Sequence, residues 1–313
     1  MEFTQKVLQT GRPTPLVRLR SGAADRAGVA LYLKRDDLIH PQISGNKWRK
    51  LKYNLLEAHR QGHRTLLTFG GAYSNHLYAV AAAGHEFGFR TVGLVRGEET
   101  LPLNPTLAFA RSCGMTLAYV PRERYRHKTD AAWLESLRER YGDFYLLPEG
   151  GSNALAVRGV AELVTEIGLP WTYLCCPCGT GGTLAGLVAG AAGRGQVVGF
   201  SALKGGGFLR QEVGQLLQAY EDATAQPVTA PANWQVQTEY HFGGYGRVQP
   251  VLLDFIRRFE GENGIAIEQV YTAKMLYGIE DRLNGGGFAR GAAVVALHTG
   301  GLQGRLPELG QNV

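Results

Sequence analysis

Cysteines and long apolar runs are both scarce in this sequence. Its 313 residues include four cysteines, too few for the disulfide framework that stabilises small secreted proteins. No stretch approaches the ~18 consecutive apolar residues that a transmembrane helix requires, and residues 1–4 (M-E-F-T) do not begin a secretory signal peptide. We therefore expect a cytoplasmic protein that does not interact with a membrane.

Concentrated charge is also absent. The formal net charge is +6 and the isoelectric point is about 9.1, but the basic residues are scattered along the chain. The densest basic run, residues 122–128 (R-E-R-Y-R-H-K), is short and indicates a solvated loop that leads into a helix over 128–141. We expect no nucleic-acid partner, and a modest positive field suits an anionic cofactor and a carboxylate substrate.

The motifs that bind nucleotides and metals are incomplete. Residues 179–186 (G-T-G-G-T-L-A-G) lack the G-x-G-x-x-G spacing, residues 199–202 (G-F-S-A) lack the acidic ribose-binding residue, and no G-K-[ST] occurs. One small phosphate group is therefore favoured over a dinucleotide or a nucleoside triphosphate. The C-x-x-C of residues 175–178 has no second cysteine pair or nearby histidine, so we predict structural cysteines on a buried strand and no metal site.

The composition and the patterning indicate an α/β fold. Apolar residues make up 44% of the chain and charged residues 19%, as in globular proteins. Short apolar strands alternate with amphipathic helices from residue 65 onward, and the 43 glycines fall at the ends of apolar runs. This alternation predicts βαβ units with mostly parallel sheets that are covered on both faces. No linker divides the chain, so two domains would require the chain to pass between them more than once.

Residues 44–50 (S-G-N-K-W-R-K) place a lysine in the first turn of an amphipathic helix, directly after a glycine. A lysine that forms a Schiff base and then acts as an acid–base catalyst needs such a rigid element beside its cofactor. Lys47 and Lys50 are three residues apart and share one helix face, whereas Arg49 points away from it. In isolation, however, this stretch is more typical of a solvated helix start.

Two glycine-rich turns follow predicted strands. In residues 69–76 (F-G-G-A-Y-S-N-H), the turn leaves backbone N–H groups free to hold a carboxylate, although a capping turn without a ligand explains this stretch equally well. In residues 178–186, the glycines allow the backbone to surround a phosphate at a helix N-terminus. Residues 243–246, 270–274 and 297–301 add tyrosines and hydroxyls that are ordinary by themselves.

Together, the motifs S-G-N-K-x-R-K, G-x-x-S-N and G-T-G-G-T resemble one group of pyridoxal-phosphate enzymes. This group contains 1-aminocyclopropane-1-carboxylate deaminase and D-cysteine desulfhydrase and belongs to the tryptophan synthase β type, also called fold type II. The resemblance extends from Thr14 to about Gly301. It implies two three-layer α/β domains with mostly parallel, twisted sheets: a smaller domain over 49–154, and a larger cofactor-binding domain over 1–48 plus 155–313. It also implies a homodimer that acts on a small amino acid.

The resemblance further implies roles for individual residues. Catalytic roles fall to Lys47, which carries pyridoxal phosphate, and to Ser74, Tyr245 and Tyr271. The implied cofactor contacts are Lys47, Lys50, Asn75 (to the phenolic oxygen), Gly179, Thr180, Gly181, Gly182, Thr183 (to the phosphate) and Thr299 (near the pyridine nitrogen). The implied substrate contacts are Ser74, Asn75, His76 and Thr272. The tail over residues 302–306 (L-Q-G-R-L) departs from the pattern of the group.

Two positions distinguish the reactions within this group. The ring-opening deaminases have a glutamate directly after the second tyrosine and a leucine in the H-x-G-G turn, whereas this sequence has Thr272 and Thr299. A hydroxyl near the pyridine nitrogen leaves that nitrogen less charged than a carboxylate does, which suits expulsion of a thiol better than opening of a carbon ring. We therefore predict β-elimination from an amino acid such as D-cysteine. Ring-opening deamination, β-replacement and a non-catalytic binding protein remain alternatives.

Overall fold

The computed structural model describes residues 2–225, 227–228 and 233–310. The strands in these residues are β1 Leu16–Arg18, β2 Ala30–Lys34, β3 Thr65–Gly71, β4 Arg90–Arg96, β5 Thr116–Val120, β6 Tyr145–Leu147, β7 Tyr173–Cys178, β8 Gln196–Ser201, β9 Trp234–Gln237 and β10 Ala293–Leu297.

The α-helices of the described residues precede, connect and cover these strands. They are α1 Glu2–Gln9, α2 Gly22–Ala27, α3 Asn46–Arg60, α4 Asn75–Phe87, α5 Pro105–Ser112, α6 Arg122–Tyr125, α7 Ala131–Tyr141, α8 Ala154–Thr165, α9 Gly182–Ala191, α10 Leu209–Thr224, α11 Pro250–Asn263 and α12 Thr272–Asn284. Short 3₁₀ segments lie at Asp36–Leu38, Glu149–Gly151, Gly206–Phe208, Leu302–Gly304 and Pro307–Leu309.

The strands form two separate sheets. The six-stranded sheet has the order β1-β2-β10-β7-β8-β9, and all its neighbouring strands run parallel except β1, which is antiparallel to β2. The four-stranded sheet has the order β5-β4-β3-β6 and is parallel throughout. The predicted mostly parallel α/β architecture is confirmed.

Both faces of the six-stranded sheet are buried against helices. Along β7, Leu174, Cys176 and Cys178 face the cluster formed with α8, α9 and α10, whereas Cys175 faces the cluster formed with α2, α11 and α12. Successive side chains of a strand point to opposite faces, so a strand between two helical layers must be apolar at nearly every position. The predicted buried strand with free structural cysteines is therefore present.

The four-stranded sheet is layered in the same way. Leu66 packs with α3, α4 and α5, and its neighbour Leu67 packs with residues of α6 and α7 on the other face. The predicted limits at 48/49 and 154/155 fall inside α3 and α8, so these two helices link the sheets. The domain limits stay a prediction.

Some elements differ from those expected. The helix predicted over 128–141 begins at Ala131 because Asp130 caps it: its side chain accepts hydrogen bonds from the N–H groups of Ala132 and Trp133. The basic run interpreted as a loop contains α6, and neither α1 nor α2 was predicted. No helix in the described part of the chain combines the length and the hydropathy that a membrane span needs.

Candidate active site

A cavity of about 600 Å³ opens where the carboxyl ends of β3 and β7 meet the start of α3. Ligands of parallel α/β sheets bind at this end because helix N-termini gather there. Most of the residues predicted from the sequence line the cavity: Lys47, Lys50, Ser74, Asn75, His76, Gly179, Thr180, Gly181, Thr183, Tyr245, Tyr271 and Thr299. The backbone of Gly182 begins α9 directly behind this wall.

The start of α3 is held against the turn that contains Thr299. Gly45 has a positive φ of 64°, and a Cβ atom at this position would lie 1.8 Å from the Thr299 carbonyl oxygen. A Cβ atom at Gly300 would lie 2.5 Å from Ser44 Oγ. The two turns therefore interlock through their glycines, and this contact brings Lys47 and Thr299 to one wall of the cavity.

The two lysines of α3 that line the cavity differ in their partners. Lys50 Nζ donates hydrogen bonds to the Gly150 carbonyl and to Ser152 Oγ, both at 3.2 Å. Lys47 Nζ makes no hydrogen bond or ion pair with any residue that the structure describes. Burial lowers the pKa of Lys47 to about 8, and burial together with the charge of Lys47 holds the pKa of Lys50 well below its ordinary value. Lys47 thus supplies the site with an amine that has no hydrogen-bond or ion-pair partner among the described residues.

The glycine-rich loop between β7 and α9 has the geometry of an anion site. Gly181 adopts a φ of 80° at the N-cap of α9, so the backbone turns sharply into the helix N-terminus. Two hydroxyls are anchored beside the loop. Thr183 Oγ1 accepts a hydrogen bond from Asn46 Nδ2 at 2.7 Å, and Thr180 Oγ1 lies 2.6 Å from Ser152 Oγ.

The turn before α4 is capped by one of its predicted site residues. Ser74 Oγ accepts hydrogen bonds from the backbone N–H groups of His76 and Leu77, at 3.2 and 3.3 Å. The capping function that the sequence left open is therefore present. Ser74 nevertheless lines the cavity, and N–H groups at a helix N-terminus with one capping hydroxyl still favour an anionic ligand.

The ring of His76 faces the core as well as the cavity. Thr68 Oγ1 donates to the Leu147 carbonyl, so it accepts from His76 Nε2, which lies 2.9 Å away. Burial, and then the charges of Lys47 and Lys50, hold the pKa of His76 well below its ordinary value. His76 is therefore neutral, and its Nδ1 atom has no partner among the described residues.

Two tyrosines line the cavity beside the glycine-rich loop. The rings of Tyr245 and Tyr271 meet edge to face with centroids 5.9 Å apart. Burial holds the pKa of Tyr271 well above its ordinary value, with Tyr245 as the second cause. Lys274 Nζ holds the loop that precedes Tyr245 by donating hydrogen bonds to the carbonyls of His241 and Gly244, at 2.9 and 2.8 Å.

Thr272 is the predicted substrate contact that the structure does not bring to the cavity. It is fully buried, and among the described residues it is absent from the cavity wall. Its backbone N–H donates to Glu268 at the start of α12. Tyr271 precedes α12 with non-helical dihedral angles, φ −124° and ψ −68°, and lines the cavity, whereas Thr272 begins the helix and is buried.

The sequence analysis missed one further turn. The segment between β6 and α8 contributes Glu149, Gly150 and Ser152 to the wall, together with Lys128, whose Nζ lies 3.2 Å from Glu149. Its signal was present: a glycine pair between a strand and a helix, as in the other two turns. Lys128, which the sequence placed in a solvated loop, is 30% exposed and also lines the cavity.

Comparison with known proteins identifies the family. Residues 7–300 match the family described as pyridoxal-phosphate dependent enzymes. The chain belongs to this family. A Pyrococcus abyssi protein named as a provisional 1-aminocyclopropane-1-carboxylate deaminase is 31% identical, and the match covers 88% of this chain and 86% of that protein. A D-cysteine desulfhydrase of Salmonella newport is 28% identical over 93% of this chain and 92% of its own.

A solved structure agrees with these relatives. The crystal structure of a homologue of ACC deaminase superimposes with a TM-score of 0.82 at 26% identity, covering 96% of this chain and 95% of that one. The fold is therefore that of the fold type II pyridoxal-phosphate enzymes. Membership of an enzyme family favours catalysis over the non-catalytic binding protein that the sequence left open.

The residues of this pyridoxal-phosphate enzyme fit its cofactor. An aldehyde needs an unpaired amine, and Lys47 offers one. A phosphate needs backbone donors and hydroxyls, and the loop around Gly181 offers both. Among the described residues, no group of three His, Cys, Asp or Glu side chains is arranged to hold a metal ion.

Proposed function

We propose that this enzyme removes a β-substituent from a small amino acid, with D-cysteine as the leading substrate and pyruvate, sulfide and ammonia as products. The observation that carries the proposal is that the Lys47 amine, which has no partner among the described residues, lines the same cavity as the N-termini of α4 and α9. The name of the Salmonella relative supports the reaction type.

The helix N-termini orient the cofactor and the substrate. The start of α9, with Thr180 and Thr183, binds the phosphate of the cofactor, and Asn75 donates to its phenolic oxygen. The start of α4 binds the substrate carboxylate through its N–H groups and Ser74. The phosphate and carboxylate assignments follow from the preference of helix N-termini for anions, and that of Asn75 is what the resemblance to the group implies.

The proton steps follow from the pKa values. When bound, pyridoxal phosphate supplies an electron sink that makes the α-proton of an amino acid acidic. Lys47 carries the cofactor, and after substrate binding it removes this proton because its lowered pKa leaves part of the amine neutral near pH 8. Tyr271 keeps its phenolic proton because burial raises its pKa well above the ordinary value. The β-substituent of cysteine would leave as hydrosulfide, with the phenolic O–H of Tyr271 as a hydrogen-bond donor to it, and Tyr245 would line the same part of the cavity beside Tyr271.

Thr299 favours elimination over ring opening. It lines the cavity, and near the pyridine nitrogen, where the resemblance puts it, a hydroxyl would stabilise a positive charge less than a carboxylate would. Expulsion of a thiol needs a weaker electron sink than cleavage of an unactivated ring. Thr272 adds no direct argument because it lies outside the cavity wall.

The second candidate is ring-opening deamination. The provisional name of the Pyrococcus relative favours it, and the Glu149 carboxylate in the cavity wall is a further acid–base group. We also propose that the enzyme is a homodimer, as the resemblance to its group implies, and that it is cytoplasmic, as its few cysteines indicate. Size-exclusion chromatography with light scattering tests the oligomeric state.

The test compares three amino acids on the purified, cofactor-loaded protein. We expect D-cysteine to change the visible absorption and to release equal amounts of sulfide and pyruvate, whereas 1-aminocyclopropane-1-carboxylate should yield no keto acid. L-Cysteine reports the preferred chirality. Turnover of the cyclopropane acid alone would replace the proposal with the deaminase, and a protein that takes up no pyridoxal phosphate would refute both.

A further inference from the structure

The tail that departs from the pattern of the group reaches the cofactor side of the site. In the short helix Leu302–Gly304, Gln303 Nε2 donates a hydrogen bond to Asn75 Oδ1 at 2.9 Å. These two residues line one small cleft together with Lys47 and Thr299. The bond joins the tail to the first residue of α4, 228 positions earlier in the chain.

Other contacts hold this tail in place. Gln269 Nε2 donates to the Gly304 carbonyl at 2.7 Å, so the residue after Gln303 is tied to the loop that leads into α12. Arg305 pairs with Glu260 of α11 and donates to the Leu309 carbonyl. Since its neighbours are anchored independently, Gln303 reaches Asn75 from a defined position.

The orientation of the Asn75 amide matters for its proposed role. A primary amide presents a donor at one end and an acceptor at the other. The bond from Gln303 occupies the acceptor end, and Nδ2 donates no hydrogen bond to any described residue. Nδ2 lies against Gly301, where a Cβ atom would come within 2.6 Å of it. The part of the Asn75 amide that remains available to a ligand is therefore its donor, Nδ2.

We propose that Gln303 is a positioning residue that fixes the amide of Asn75 with its N–H donor available to the phenolic oxygen of the cofactor. This inference rests on the proposed assignment of Asn75. An acceptor in that place would face an electron-rich oxygen and repel it. Gln303 therefore acts on cofactor binding through Asn75, without contacting the cofactor itself.

The test uses the opposite hydrogen-bonding capacity at the same position. In Gln303→Glu the carboxylate only accepts, so Asn75 must turn its donor toward the tail and present its oxygen to the cofactor. We expect this variant to bind pyridoxal phosphate about tenfold more weakly and to show a changed ratio of visible to near-ultraviolet absorption. Gln303→Leu, which leaves Asn75 free to turn, should show a smaller change in both quantities.

Gln42→Glu is the matched control. Gln42 is exposed and lines the same small cleft, so its variant adds the same charge without a bond to Asn75. We expect wild-type binding and a wild-type spectrum. Asn75→Asp keeps the partnership with Gln303 and presents an oxygen in either orientation, so it should reproduce the defect of Gln303→Glu.

The outcomes separate this inference from the proposed function. The inference alone would be overturned if the wild-type protein binds pyridoxal phosphate and Gln303→Glu cannot be distinguished from Gln42→Glu in affinity or spectrum. A wild-type protein that does not load would overturn both. Should Gln303→Glu not fold, Gln303→Leu decides: the inference requires it to bind pyridoxal phosphate more weakly than Gln42→Glu and to show a changed spectrum, and a Gln303→Leu variant indistinguishable from Gln42→Glu would overturn it.

Discussion

Two faces of the helix α3 bury cations in opposite ways. On the face toward the cavity, Lys50 has only neutral partners and Lys47 has none in the described structure. On the other face, Arg49 is 3% exposed and binds two carboxylates, Asp36 at 2.6 and 2.8 Å and Glu166 at 2.7 and 2.9 Å.

The pairing decides what burial does to each charge. Burial alone lowers the pKa of a cation, and it does so for Lys47. It also acts on Arg49, but the charges and hydrogen bonds of Asp36 and Glu166 outweigh it and raise the pKa of that guanidinium. One face of α3 therefore holds a reactive amine and the other a fixed ion network, so chemistry and stability are separable by mutation.

The largest expected effect is on the reactive face. Lys47→Ala should lose on the order of a thousandfold in turnover together with the visible absorption of the bound cofactor. Its stability should change little because no described residue loses a partner. Activity assays and absorption spectra on the purified variant check this expectation. Lys52→Ala, on the same helix but paired with Glu162, serves as the control and should keep its spectrum. Undiminished turnover in Lys47→Ala would refute the assignment.

On the paired face the effect should fall on folding instead. Arg49→Met leaves Asp36 and Glu166 without their shared cation and should lower the free energy of unfolding by about 3–5 kcal/mol. Urea denaturation measures this loss. Lys47→Met should not change the free energy of unfolding, or should raise it slightly, because it removes an amine that has no partner among the described residues. Equal losses in the two variants would contradict the division of α3 into two faces.

The glycine before α3 joins the reactive face to Thr299. Gly45→Ala places a Cβ atom against a carbonyl at positive φ and should cost about 2–4 kcal/mol, with a parallel loss of cofactor binding. Gly62, which follows α3, also has a positive φ but no neighbour within 4 Å of a Cβ atom. Gly62→Ala should therefore cost only about 1–2 kcal/mol and keep cofactor binding. If the two variants bind pyridoxal phosphate equally well, the contact between Gly45 and Thr299 does not matter for cofactor binding.

The smallest effect concerns pH. Because the pKa of Lys47 is about 8, the neutral fraction of its amine rises about tenfold from pH 6 to pH 7 and levels off above pH 8. The rate at which the apoprotein takes up pyridoxal phosphate should rise in the same way and then reach a plateau. Stopped-flow absorption measures this rate. A midpoint near the ordinary lysine value of 10.5 would show that burial does not activate the amine.

The predictions from sequence succeeded where the cause was local. The strand–glycine–helix pattern near Ser74 and Gly181 and the glycine–helix start near Gly45 depend on residues within a few positions, and the structure contains all three. The prediction that Thr272 contacts the substrate does not match the structure, because adjacency to Tyr271 in sequence does not mean that both side chains face one cavity. Ser152 was also overlooked, although a glycine pair marks its turn.

The sequence by itself determined the alternation of strands and helices, the helix-start lysine and the phosphate loop, since each arises from backbone conformation and apolar periodicity over short distances. Only the tertiary structure decided which charges would be paired and which would be left reactive. The Arg49–Glu166 pair spans 117 residues and the Gln303–Asn75 bond spans 228. The packing of the two sheets brings such groups together, and a one-dimensional pattern does not record that proximity.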